Sequence, residues 1–200
     1  MTLAAQPVVS VASGATSSEA RRVTRRLNLG CGPVTPAGWI NVDCLHAPGV
    51  DLRSEVRVGL AVRSESLDYI VGMHVLQNLP YTEVEPALRE LHRVLMPGGV
   101  LRLGVPDLDR AIAAYVLRDR TFFHVPDAHA ASVGAKLVTQ ILWYGSVRTP
   151  FTFDFAAEML GRAGFRDVVR CAFGETESAF EEIVALDNRE RETLFVEAVR

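Results

Sequence analysis

Lysine is nearly missing from this chain. Lys136 is the single example, so the basic count of 21 is otherwise arginine, a skew that reflects coding composition and no physical requirement. Cysteine is scarce as well: Cys31, Cys44 and Cys171 are odd in number and show no Cys-x-x-Cys spacing. That excludes a disulfide framework and a zinc knuckle and points to a reducing compartment. There is no excess of positive charge. A formal net charge of -3 removes the cationic field that non-specific nucleic-acid binding or a polybasic membrane anchor requires, so no nucleic-acid partner is expected. No apolar run approaches the roughly 20 residues of a membrane span, and the first residues lack the basic start of a secretory signal. The expectation is a cytoplasmic protein without a membrane partner.

What the chain does have is 200 residues, 48% of them hydrophobic and 22% charged, enough to bury one sizeable core. Residues 1–22 are mostly small or polar, without a sustained period, and end in the arginines at 21 and 22. They predict a disordered tail, because their apolar content does not offset an ordering entropy of roughly 1–2 kcal/mol per residue. Residues 23–200 then form one domain.

Short apolar runs alternate with helical patterns across it. Residues 26–29, 39–43 and 67–71 read as strands, the first and third of which stop at Gly30 and Gly72. Thr82 and Glu85 have capping-box spacing before a helix over 82–95, with Val84, Leu88, Leu91 and Leu95 on one face, and Pro97-Gly98-Gly99 stops it. A strand over 100–105 follows. Asp107 then caps a helix that turns Leu108, Ile112, Tyr115 and Val116 inward. Asp154 caps a helix over 155–162 closed by Gly164, residues 165–172 form a strand, and the alternation at 194–199 forms a last one. Strand, turn and helix in this order predict a parallel α/β sheet covered on both faces. The stretch 118–151, rich in aromatics and histidines and carrying one helix around 131–143, is too apolar for a linker and predicts a lid-like insert over an acceptor site.

Asn28-Leu29-Gly30-Cys31-Gly32 falls at the carboxyl end of the first strand, where open α/β sheets bind ligands. Gly30 and Gly32 permit positive φ and close backbone approach. The dinucleotide fingerprint fails, because Thr35 stands where its third glycine belongs, and Pro33, Pro36 and Gly38 leave no room for the helix that would hold a pyrophosphate. That weakens a nicotinamide-dependent reductase. Asp43 ends the second strand, where a carboxylate accepts both hydroxyls of an adenosine ribose.

Leu27-Asn-Leu-Gly-Cys-Gly32, Gly38-Trp-Ile-Asn-Val-Asp43, Ser66-Leu-Asp-Tyr-Ile-Val71, His74-Val-Leu-Gln-Asn-Leu79, Leu88-Arg-Glu-Leu-His-Arg-Val-Leu-Met-Pro-Gly-Gly99 and Leu103-Gly-Val-Pro-Asp107 occur in this order. Together with Ala163-Gly-Phe-Arg-Asp-Val168 and Leu194-Phe-Val-Glu-Ala198, the set resembles the class I S-adenosylmethionine-dependent methyltransferases, specifically small bacterial members of type 11 with a shortened first loop. The resemblance implies a Rossmann-like, doubly wound, mostly parallel seven-stranded sheet with an antiparallel last strand. It implies S-adenosylmethionine as cofactor, its methionine part received by Asn28, Leu29, Gly30, Cys31 and Gly32 and its ribose by Asp43. Cys44, Asp51 and Leu52 match positions flanking adenine, and Gly72 and Met73 approach the methionine amino end.

The chain departs from the family in two places: Gln77-Asn78 replaces the usual Glu-His after the fourth strand, and Asn28 replaces a frequent acidic residue. His74 is then the candidate catalytic group, either orienting or deprotonating an acceptor, or a structural hydrogen-bonding residue. His124, Asp127 and His129 lack a third well-spaced partner, so no metal is expected. These residues predict methyl transfer to an oxygen or nitrogen atom of a small-molecule acceptor by in-line displacement. A non-catalytic cofactor-binding module is the other reading.

Overall fold

The computed structural model describes residues 24–200, and the tail expected at 1–22 lies outside them. Seven strands, β1 (Arg26–Leu29), β2 (Ile40–Asp43), β3 (Leu52–Arg53), β4 (Leu67–Met73), β5 (Leu95–Pro106), β6 (Arg166–Cys171) and β7 (Thr193–Val199), form one sheet of order β3-β2-β1-β4-β5-β7-β6. β1 to β5 pair in parallel, and β7 inserts antiparallel between β5 and β6. The expected mixed sheet with an antiparallel last strand is the one observed. No helix intervenes between β1 and β2, as the prolines of that loop require.

Strand alternation divides the core. On one face Ile70, Leu101 and Leu103 meet Val84, Leu88 and Leu91 of α1 (Tyr81–Val94) and Met159 and Leu160 of α4 (Phe153–Ala163). On the other, Trp39, Tyr69, Val71 and Val100 pack around Ile183 from a short 3-10 helix, Glu181–Leu186. The second face is therefore covered by an irregular segment and not by the helical layer that doubly wound patterning predicts. That segment is tied down by Arg102 in the middle of β5. Its fully buried guanidinium lies 2.7 and 2.5 Å from the two carboxylate oxygens of Asp187 and 2.7 Å from Glu197, and donates to the carbonyls of Ala172 and Glu175.

Local corrections have local causes. α1 starts at Tyr81 after Pro80, with no side-chain cap, so Thr82 lies inside the helix and the capping box does not form. Pro97-Gly98-Gly99 does not separate helix from strand. β5 begins at Leu95 directly after α1 and absorbs the three residues at a register shift against β4. Thr152, not Asp154, caps α4 by accepting from Phe155 N–H; Gly164 closes it at φ 103° as expected. α2 (Leu108–Val116) has its buried face on Ala111 and Ala114, while Ile112, Tyr115 and Val116 are exposed. The cause is its location: α2 packs against Phe122, Phe123 and α3 (Val133–Leu142) beyond the strand ends, and the small alanines allow close approach there. Asp107 caps α2 as the sequence indicates, accepting from Arg110 N–H at 3.1 Å.

Candidate active site

Parallel register aligns the carboxyl ends of β1, β2, β4 and β5, with Leu29 opposite both Val42 and Gly72, and Gly72 opposite Leu103. The turn after β1 then bends sharply. Gly30 and Gly32 have φ of 62° and 52°, a region costly for side-chain-bearing residues, and a Cβ on Gly30 would lie 2.3 Å from Val75 Cγ2. The turn is held against β2 by Cys31 N–H donating to Val42 O at 3.0 Å and Gly32 N–H donating to Asp43 Oδ2 at 2.9 Å. Leu45 N–H donates to the other Asp43 oxygen at 2.9 Å. Burial pushes the Asp43 carboxyl up, but the Leu45, Gly32 and Cys44 hydrogen bonds outweigh it and hold the pKa below the ordinary value. Asp43 is thus an oriented carboxylate at the end of β2.

A cavity of about 370 Å³ opens here, bounded by Leu29, Gly30, Asp43, Cys44 and His74, which the sequence indicates, and also by 54–57, Val75, Asn78, Leu79 and Arg148. Gly32 and Asp43 line a further depression with Pro33 and Leu45. The remaining candidates serve beneath the cavity. Asn28 is buried and donates to Val34 O at 2.8 Å and Asn41 Oδ1 at 3.1 Å, while Asp51 accepts from the backbone and side chain of Asn41. This chain of amides braces the glycine turn. Cys31 is buried, and burial raises its thiol pKa. Leu52 packs into the main core, Gly72 is enclosed between Leu29 and Leu103, and Met73 lays its sulfur over Gly104. None of these lines the cavity.

A second cavity, of about 290 Å³, adjoins the first. It is walled by Leu108 and Ala111 of α2, Phe122, Gln140, Ile141, Trp143, 146–147 and Pro150, and by His74, Gln77, Asn78, Asp107, Arg189 and Glu192. His74 and Asn78 belong to both walls. Residues between 118 and 151 thus wall a cavity next to the glycine turn. The last part of this stretch is fastened there: Arg148 and Thr149 N–H both donate to Gln77 O, at 2.8 and 3.0 Å, and Thr149 Oγ1 donates to Leu79 O at 2.7 Å. At the rim Trp143 and Tyr144 are both left-handed, with φ of 41° and 56°, a strain of about 1–3 kcal/mol each. His129 Nδ1 lies 2.8 Å from Tyr144 Oη, and His124 lies 3.6 Å from Glu192, so neither histidine is in a metal constellation. Among the described residues no cluster of three metal-ligating groups occurs.

His74 has φ of 57° and its Nε2 lies 3.0 Å from Thr193 Oγ1. The Thr193 hydroxyl proton goes to the carbonyls of Asn188 and Arg189, so toward His74 it accepts. That network assigns the proton to Nε2 and leaves the lone pair on Nδ1, which is buried and has no partner among the described residues. Gln77 Oε1 is a second buried acceptor with no donor. Burial, with a smaller contribution from the Arg189 charge, lowers the His74 pKa to about 4, so the ring is neutral at physiological pH. Sequence reasoning missed 54–57 because they follow a two-residue strand with no readable period. It also missed Arg148, which reaches the cavity through the fold of the insert alone.

A twisted sheet of this order, with a glycine turn and an oriented carboxylate at adjacent strand ends, defines a nucleoside-cofactor fold of the Rossmann-like class. Residues 27–103 match the family model described as a methyltransferase domain. Solved structures with the same fold include S-adenosylmethionine-dependent methyltransferases from three organisms. The one from Thermotoga maritima is 18% identical, with TM-score 0.55, over 88% of this chain and 81% of that one. The Archaeoglobus fulgidus protein is 15% identical, with TM-score 0.54, over 88% and 86%. The Mesorhizobium loti protein is 18% identical, with TM-score 0.51, over 89% and 92%. No curated protein matches the sequence significantly. At the cavity wall the turn presents the backbone of Gly30, and a fixed carboxylate lies one strand away. Among the described residues no helix is long and apolar enough to cross a membrane.

Proposed function

We propose that the chain is an S-adenosylmethionine-dependent methyltransferase and acts on an oxygen or nitrogen atom of a small molecule held in the 290 Å³ cavity under residues 118–151. The observation that carries this reading is the wall shared by two cavities, one at the glycine turn and Asp43, the other lined by Leu108, Phe122, Ile141 and Trp143. When bound, the sulfonium donor supplies an electrophilic methyl carbon. The protein supplies alignment and exclusion of water, for which effective molarities reach about 10⁵–10⁸ M at most. Asp43 receives the two ribose hydroxyls, and Gly30 and Leu29 give backbone access to the methionine part. His74 places the acceptor: its Nδ1 lone pair takes a hydrogen bond from the acceptor's O–H or N–H. A ring with a pKa near 4 is a weak proton acceptor, so orientation rather than deprotonation is its role.

Calorimetry and a methyl-transfer assay by mass shift test this. Asp43→Ala should weaken S-adenosylhomocysteine by about tenfold or more, as loss of charge-assisted hydrogen bonds worth roughly 1.5–3 kcal/mol requires. His74→Ala should lower kcat with cofactor affinity unchanged, and Trp143→Ala should raise the acceptor KM. Methylation of a polynucleotide or a folded protein, insensitive to change at Trp143, would overturn the small-molecule reading.

A further inference from the structure

Two guanidinium groups border the 370 Å³ cavity at the glycine turn, and they differ. Arg57 is committed, with Nε 2.6 Å from Glu55 and Nη1 3.1 Å from Glu83. Arg148 is exposed, and among the described residues its guanidinium has neither an ion pair nor a hydrogen bond; only its backbone N–H is engaged, by Gln77 O. The acidic lining residues, Asp43 and Glu55, lie at the ends of β2 and β3, whereas Arg148 lies with Val75, Asn78 and Leu79 beyond β4. The cavity is acidic where the ribose hydroxyls are received and cationic at the opposite end. A donor molecule that places its nucleoside at Asp43 extends an amino acid, and hence an α-carboxylate, toward that other end.

We infer that Arg148 binds the methionine carboxylate of S-adenosylmethionine, which makes it a cofactor-binding residue supplied by the insert; the inference rests on the cofactor reading of this cavity. A guanidinium matches a carboxylate with two parallel N–H donors, and Arg148 has no competing internal partner to leave. Its position is fixed without its side chain, through the backbone bonds of residues 148 and 149 to Gln77 O and the Thr149 hydroxyl bond to Leu79 O. Ser146, Val147 and Pro150, its neighbours on either side, line the second cavity. One short stretch therefore contacts the carboxylate end of the donor and encloses the acceptor.

The test compares S-adenosylmethionine with decarboxylated S-adenosylmethionine, which keeps the nucleoside, sulfonium and amine and lacks the carboxylate alone. By calorimetry, Arg148→Ala should weaken the first by about tenfold and leave the second unchanged, and Arg148→Lys should retain part of the preference. Because Arg148 is exposed, neither variant threatens the fold. Equal weakening of both ligands, or of neither, overturns the role of Arg148 while leaving the cofactor site intact. A wild-type protein that binds neither ligand overturns the inference together with the reading it rests on.

Discussion

His74 shows what a single side chain contributes and where it becomes legible. Its position after the fourth strand is plain in the sequence. Its protonation state is not, because that depends on Thr193, 119 residues away, and on two carbonyls that consume the threonine proton. The same separation explains why Asn28 reads as a ligand-facing residue and is found bracing the turn through Asn41. The placement of Asp43 at the end of β2 is legible because everything that orients it, Gly32 and Leu45, lies at strand ends that the sequence already marks. The lowered His74 pKa has a definite sign. Unfolded, the ring takes up a proton near its ordinary pKa of about 6.5; folded, it does so only near 4. Its contribution to stability is present above the higher value and lost as pH falls toward the lower one. His74→Gln should therefore flatten the decline in unfolding free energy between those two pKa values, measured by urea titration at a series of pH values. Parallel wild-type and variant curves would show that the ring is not held neutral by the fold.

At the scale of elements, strands were easier to read than helix ends. The first strand stops at Gly30 as its glycine marks, and the fourth runs one residue past Gly72 to Met73; β3, with two residues, has no period to find. Helix caps went to competitors: Thr152 stands two residues before Asp154 and takes the same role, and Pro80 fixes the start of α1 without any side-chain oxygen. α2 misleads for a different reason, since its apolar periodicity assumes the sheet as partner and the element packs on α3 instead. The insert depends on few attachments to the strand ends, and Thr149 is one that can be removed cleanly. Thr149→Val keeps the shape and deletes the hydroxyl bond to Leu79 O, at a cost of about 1 kcal/mol. Chemical denaturation should record that loss, and steady-state kinetics should show the acceptor KM rising more than kcat falls. Unchanged KM would mean that the segment holds its place by its backbone bonds alone.

For the molecule as a whole, the charge network around Arg102 joins the central sheet to the segment that covers its second face. No local pattern announces it, because Asp187 and Glu197 lie 85 and 95 residues further on. Burial of three charges is sustained by geometry: Glu197 also accepts from Thr176 Oγ1 and Glu177 N–H, and Asp187 from Gly174 N–H. Arg102→Met should destabilise by about 3–5 kcal/mol, because two buried carboxylates lose their counter-ion. Replacing Arg102, Asp187 and Glu197 together by apolar residues should recover much of that in thermal unfolding. A single variant as stable as wild type would mean that the carboxylates reach solvent. The scarcity of lysine also has a practical consequence. Lys136 is buried, its ammonium bonded to Val125 O and Asp127, so acylating reagents find no exposed lysine in the chain. Thiol reagents do find a target. Cys31 is buried and Cys171 half-buried, whereas Cys44 stands exposed on the rim of the cavity at the glycine turn, its pKa raised by partial burial and the Asp43 charge. Alkylation in mildly alkaline buffer thus begins beside Asp43, and the unmodified protein carries its own footprinting probe for occupancy of that cavity by the proposed donor.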